Sequence, residues 1–130
     1  MLTVSPLDFV VVTGTRRWSD SVVEAVADLY YELGGSDWPG FVVVGCAHGV
    51  DEVAREVFPR KYVETAQWDL LGRIAGNIRN GAMCGIANRL IQYRKIGKGF
   101  AFPGPNSRGT WDCVKELKKI GMVVEIREIQ

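Results

Sequence analysis

Three short hydrophobic runs in this chain each break directly into a polar loop carrying glycine, and a helical pattern follows each loop. Phe9–Thr13 runs into Gly14-Thr15-Arg16, and Phe41–Val44 into Gly45-Cys46-Ala47-His48-Gly49-Val50-Asp51. Phe100–Phe102 runs into Pro103-Gly104-Pro105-Asn106-Ser107-Arg108-Gly109-Thr110. Strands alternating with helices imply right-handed crossovers and a parallel sheet covered on both faces. In such a sheet the carboxyl ends of neighbouring strands face one crevice, where ligands bind. Glycine loops there present bare backbone N–H groups and helix N-termini, which suit phosphate or another anion. The pattern speaks more of what is bound than of what is done to it.

Two further strands complete the sheet: a weak one over Lys61–Thr65, and Val123–Ile129, which alternates like a half-exposed edge. All three glycine loops share a crevice only if the first, second and fourth strands are neighbours. The order 3-2-1-4-5 achieves this, whereas 2-1-3-4-5 inserts the third strand between the first and fourth. The expected fold is therefore α/β: a Rossmann-like three-layer sandwich around a five-stranded, mainly parallel sheet of order 3-2-1-4-5. The 130 residues make one domain.

Four helices are expected. Ser21 with Glu24 reads as a capping box; Val22, Val23, Val26, Leu29, Tyr30 and Leu33 form the apolar stripe, and Gly34 is the stop. A short second helix runs from Asp51, its cap, to Phe58, with Pro59 beyond. The third starts near Gly72 and is interrupted by Gly76, Gly81 and Gly85. An interior glycine costs about 1 kcal/mol against alanine, so such a helix implies close backbone approach to a neighbour or ligand. Asn88–Lys98 either continues it or forms a turn and an extended arm. The fourth is Thr110–Ile120, with Trp111, Val114 and Leu117 inward and Gly121 as its stop.

Lys and Arg number 16 against 15 Asp and Glu, so no global field attracts nucleic acid or a membrane, and anion recognition must be local. Hydrophobic residues at 47% and charged residues at 24% argue against disorder. Cys46, Cys84 and Cys113 are odd in number and form no CxxC pair, which points to reduced thiols and a cytoplasmic protein. The longest apolar runs are too short to span a bilayer.

Individual motifs carry less. Gly14-Thr15-Arg16 lacks the further glycines of a dinucleotide fingerprint, and no GKS or GKT marks a P-loop. What remains is a tight turn followed by a guanidinium suited to bidentate contact with phosphate or carboxylate. Ser107 and Thr110 offer hydroxyls, and Gly109 admits a ligand oxygen to the backbone; Thr110 also reads as an ordinary helix cap. His48 has no second cluster of ligands for zinc, so no metal is expected. Cys84 and Cys113 read as small buried residues.

Taken in order, these motifs resemble the SLOG superfamily of Rossmann-like nucleotide-binding proteins, and within it the YspA-like branch of small bacterial and phage proteins. The matching pieces are Gly14-Thr15-Arg16; Gly45 with Gly49 and Asp51; Ala66 with Trp68; Gly72-Arg73-Ile74-Ala75-Gly76-Asn77-Ile78-Arg79-Asn80; and Phe102-Pro103-Gly104 with Gly109-Thr110. The resemblance implies a nucleotide-derived ligand, such as a nucleoside monophosphate, ADP-ribose or a related signal, held by a sensor or sequestering protein. Arg16, Gly109 and Thr110 would hold phosphate. Asp51 would accept from a ribose hydroxyl or cap its helix, and Arg79 and Asn80 would close the site. Trp68 would stack on a base or plug the core. Gly14, Thr15, Gly45, Gly49, Gly76, Pro103, Gly104 and Ser107 complete the implied ligand-binding set, and no cofactor is implied. Relatives pair through helices beside the pocket, which implies a homodimer or higher homo-oligomer.

Two better-known branches imply other functions. LOG phosphoribohydrolases cleave the N-glycosidic bond of a nucleoside monophosphate with a glutamate three residues after the threonine matched by Thr110; here that position is Cys113. Asp112, one residue early, points about 100° away on a helix and is a weak candidate acid. Whether the ligand is hydrolysed or only bound stays open. DprA-type proteins share the Rossmann core and bind single-stranded DNA. Trp18, Trp68, Trp111 and Tyr93 supply rings for that, but a net charge of +1 supplies little groove, and nucleic acid ranks below a nucleotide.

Overall fold

The computed structural model describes residues 3–66, 72 and 75–129. Its elements are β1 (Phe9–Gly14), α1 (Asp20–Leu33), β2 (Phe41–Gly45), α2 (Val50–Val57), β3 (Lys61–Glu64), α3 (Ala75–Gln92), β4 (Gly97–Phe102), α4 (Arg108–Lys119) and β5 (Val124–Ile126), with a 3₁₀ turn at Gly35–Asp37. The five strands form one sheet of order β3-β2-β1-β4-β5, and every pairing is parallel. The expected strand order and Rossmann-like architecture are thus those of the molecule.

The strand sequences explain the layering. A strand buried on both faces needs no polar alternation, and β1 and β2 are nearly unbroken valine runs. Val10, Val12, Val42, Val44, Phe100 and Phe102 face α1 and α2, packing with Val22, Val26, Leu29 and Val53. Phe9, Val11 and Val43 face the other way, onto Met83, Cys84 and Ala87 of α3 and Cys113 and Leu117 of α4. In register, Val12 lies between Val44 and Phe100, so the ends of β2, β1 and β4 stand side by side.

Several boundaries differ from the sequence expectation. The cap of α1 is Ser19, not Ser21: its extended backbone turns the hydroxyl to accept from Val22 N–H at 3.2 Å, and Asp20 then falls in the first turn, where its charge suits the helix dipole. Gly34 ends this helix as expected, with φ +127°. Helix α2 starts at Val50 with Gly49 at the cap position, so Asp51 lies inside the first turn and does not cap it. Helix α3 runs through Gln92, and Arg94 at φ +64° turns the chain into β4; residues 88–98 are therefore the end of a helix, a turn and the start of a strand. Helix α4 starts at Arg108. Its buried positions are Thr110, Cys113, Val114 and Leu117, spaced three and four apart, which leaves Trp111 on the outer face, 45% exposed. The last strand is only three residues long, although Arg127 and Ile129 continue donating to the carbonyls of Ala101 and Pro103. Gly81 and Gly85 meet no described atom within 4 Å of where a Cβ would stand, so neither serves a close approach to the described residues. Among the described residues, no helix is long and apolar enough to cross a membrane.

Candidate functional site

A cavity of about 700 Å³ opens between the carboxyl ends of β1 and β4. Three segments wall it: Thr13–Arg17, the end of β1 and the loop after it; Pro105–Thr110 with Asp112 after β4; and Gly76, Arg79, Asn80 and Met83 of α3. Among the described residues, the loop after β2 contributes only Ala47, and the first turn of α2 contributes Asp51.

The loop after β1 is held by glycine packing. A Cβ on Gly14 would stand 2.5 Å from Val50 Cγ2 and 2.8 Å from the Phe102 carbonyl, so only glycine lets β1 end against α2 and β4. Thr15 N–H donates to the Phe102 carbonyl at 2.9 Å, and the Thr15 carbonyl accepts from Val50 N–H at 3.0 Å. That second bond engages the N-terminus of α2. Gly49, at φ +71°, packs its Cα against the Thr15 and Arg16 backbone to make the contact possible.

The loop after β2 serves to seat charges. Arg55 Nη1 donates to the carbonyls of Gly45 at 2.9 Å and Ala47 at 3.0 Å, while Asp51 Oδ2 accepts from Ala47 N–H at 3.2 Å. Asp51 and Arg55 sit one turn apart on α2 and clamp this loop from both ends; that spacing was the sequence signal for Arg55, which motif reading passed over. A Cβ on Gly45 would lie 2.7 Å from Asp51 Oδ2 and 3.1 Å from both Cδ and Nε of Arg79. Glycine at the end of β2 therefore lets two charged side chains cross over the sheet.

Both charges are deeply placed. Asp51 is 5% exposed and Arg79 6%. Burial pushes the Asp51 carboxyl up from 3.8 to about 6, against the opposing pull of the Arg79 charge, the Ala47 N–H, Arg55 and Arg16. Arg79 Nη1 reaches Cys46 Sγ at 3.7 Å, a weak acceptor, and its buried Nε has no hydrogen-bond partner among the described residues. A buried donor without a partner costs about 1–3 kcal/mol, and buried donors in native proteins are otherwise almost all satisfied.

The start of α4 lines the same cavity as Arg79. Ser107 occupies its cap position, yet its hydroxyl accepts from Gly104 N–H at 2.8 Å and makes no bond to the helix. The first-turn residues Arg108, Gly109 and Thr110 all line the cavity. Of the three helices that follow a glycine loop, α1 is capped by Ser19 and α2 abuts the Thr15 carbonyl; α4 alone starts on the cavity uncapped by its own side chain. Asn80 Nδ2 donates to the Gly109 carbonyl at 3.4 Å, tying α3 to this turn. The position of a Gly109 Cβ is 4.0 Å from Arg16 Nη2, so the Arg16 guanidinium reaches the same turn from the β1 side.

Among the sequence-selected residues, Gly14, Thr15, Arg16, Asp51, Gly76, Arg79, Asn80, Ser107, Gly109 and Thr110 line the cavity. Gly45 and Gly49 support it from behind. Pro103 binds the C-terminal segment through its carbonyl, and Gly104 packs with its Cβ position 3.2 Å from Thr15. Trp68 lies outside the described residues. Arg17 and Arg108 also line the cavity, although sequence reading singled out neither as a ligand contact.

Two potential acids differ sharply. Cys113 is fully buried in the core between sheet and helices, and its hydrogen bond with Cys84, together with burial, holds its thiol above the ordinary value. Asp112 is exposed at the rim. His48 is exposed on the β2 loop, 3.9 Å from Glu52, and among the described residues no cluster of three or more His, Cys, Asp or Glu side chains could hold a metal ion.

The chain is similar to the Gene 61 protein of Mycobacterium phage D29, with 32% identity over an alignment 130 positions long that covers 88% of this chain and 92% of the relative. No family model and no solved structure matches it.

Proposed function

The chain belongs to one family with the Gene 61 protein of Mycobacterium phage D29, and we propose that it binds a nucleotide-derived small ligand through its phosphate, as a sensor or sequestering protein of the SLOG type. The observation that carries this is that Arg79, 6% exposed and with its Nε unpartnered among the described residues, lines the same cavity as the first turn of α4, which no side chain of its own caps. A helix N-terminus and a buried guanidinium both favour an anion, and phosphate oxygens satisfy both at once. Arg16 and Asn80 complete the phosphate end, and Asp51 accepts from a ribose hydroxyl.

The sequence of α4 supports binding without cleavage. The residue that would supply a LOG-type carboxylate is Cys113, in the core, so adenosine monophosphate should yield little or no free adenine; positioned acid–base groups alone contribute ~10²–10⁴-fold in rate. Rapid adenine release that Asp112→Asn abolishes would promote hydrolysis in its place. A single-stranded nucleic-acid reading is favoured by exposed Trp18 and Trp111, which adjoin Arg17 and Thr110 in sequence; steeply salt-dependent oligonucleotide binding would mark it. The same SLOG reading carries a homodimer, for which the outer face of α3 around Ile78, Gly81 and Gly85 is the candidate contact.

The deciding experiment is native mass spectrometry for a co-purified nucleotide, followed by calorimetric titration of wild type and Arg79 variants. Each charge-assisted contact contributes about 1.5–3 kcal/mol, so Arg79→Ala should weaken nucleotide binding roughly tenfold or more. Lysine should rescue only in part, lacking the planar fork. Unchanged affinity in both the Arg79→Ala and Arg16→Ala variants would put the ligand elsewhere.

A further inference from the structure

The mouth of the cavity carries cations that a single phosphate at its floor does not use. Arg17, on the loop after β1, and Arg108, the first residue of α4, both line the cavity and are exposed. Neither makes an ion pair among the described residues. With Arg16 and Arg79 they make four arginines facing Asp51 and Asp112. The remaining chain holds twelve Lys and Arg against thirteen Asp and Glu, so the positive surplus of this near-neutral protein is gathered at the cavity. Like charges brought together on two adjoining loops repel, and the arrangement is relieved by a ligand carrying more than one anionic group. A volume of about 700 Å³ is also ample for a ligand of cofactor size.

We propose, on the footing of the nucleotide reading above, that Arg17 and Arg108 form a second anion subsite at the mouth, which selects pyrophosphate-linked nucleotides over nucleoside monophosphates. One phosphoryl group sits at the floor between Arg79 and the first turn of α4. The next sits between the two rim guanidinium groups, each able to give two parallel N–H donors to phosphate oxygens. Arg17 and Arg108 are then specificity-determining residues. They leave the affinity for a monophosphate almost untouched and set the preference for the diphosphate.

The test titrates wild type, Arg79→Ala and the Arg17→Ala/Arg108→Ala double variant with AMP, ADP and ADP-ribose at one pH and ionic strength. Wild type should bind ADP and ADP-ribose about tenfold or more tightly than AMP. The double variant should bind all three alike, with its AMP affinity within about twofold of wild type. Both rim side chains are exposed, so the ligand-free melting temperature reports that the double variant is folded. Equal wild-type affinity for AMP and ADP, with binding still lost in Arg79→Ala, would overturn the second subsite and leave the nucleotide site standing. So would an equal loss for all three ligands in the double variant. Absence of binding by any of the three would overturn the nucleotide site, and the subsite with it.

Discussion

Asp51 is a carboxylate that folding makes costly. Its carboxyl, ordinarily at 3.8, stands near 6 in the folded protein because burial outweighs the arginines around it. A raised acid binds its proton more tightly folded than unfolded, so this group favours folding most below pH 3.8. That contribution is lost as pH rises to about 6 and stays lost above it. Asp51→Asn keeps an oxygen for the Ala47 N–H and removes the charge. It should therefore stabilise the ligand-free protein at pH 7–8 by about 3 kcal/mol, because each tenfold gain in proton affinity on folding is worth about 1.4 kcal/mol. The gain should fade to nothing near pH 4. Urea melts of both proteins across this range check it, and a destabilised variant at pH 7 would mean that the carboxylate's attraction to Arg79 outweighs its burial. A carboxylate kept at such a cost, beside a guanidinium whose Nε has no hydrogen-bond partner among the described residues, supports the proposed ligand site.

At the scale of elements, α1 and α3 make opposite demands. Ser19 holds the first turn of α1 through one hydroxyl, and Ser19→Ala should cost about 1 kcal/mol, read as a lower denaturation midpoint. Helix α3 instead carries Gly81 and Gly85 with open space beside both. Gly81→Ala and Gly85→Ala should each stabilise an isolated chain by about 1 kcal/mol, measured by thermal melting at low protein concentration. No packing among the described residues explains why glycine stands there. The three loop-to-helix junctions also diverge in use: the N-terminus of α2 serves internal packing, that of α1 is self-capped, and that of α4 faces the cavity.

In the whole molecule, the switch between β1 and β4, where the chain reverses its direction of winding, is where two loops part and leave the cavity. The clamp of Asp51 and Arg55 reaches it from the neighbouring β2 side, so the site depends on the packed sheet and no single segment carries it. Light scattering at high concentration should return the mass of a homodimer. Gly81→Ala with Gly85→Ala should lower the dimer fraction even as it raises monomer stability, because an added methyl on each glycine separates two helix backbones in contact. A monomeric mass for wild type at high concentration would remove the dimer and leave the site within one chain.

The sequence by itself determined the sheet and the direction in which the site opens. Short hydrophobic runs that break into glycine-bearing loops, two of them valine-rich, read as buried parallel strands with turns at their carboxyl ends, and the need for three such ends to adjoin selected the order β3-β2-β1-β4-β5. It also marked Arg16 and the Ser107–Thr110 turn, through a guanidinium and glycines directly after strand ends, whereas Arg79 and Asn80, on a helix, were marked only by the resemblance to the SLOG pattern. What glycine was for, only the tertiary structure decided. Gly45 and Gly49 read like ligand loops, yet they make room for Asp51, six residues on from Gly45, and for Arg79 and the Thr15 backbone, contacts between segments tens of residues apart that no local pattern encodes. Cap positions at Ser19 and Ser107, the outward turn of Trp111, and the burial that lifts Asp51 were likewise set by how each helix rolls onto the sheet. A shift of one residue in a helix start rotates every later side chain by about 100°, and that rotation is fixed by packing.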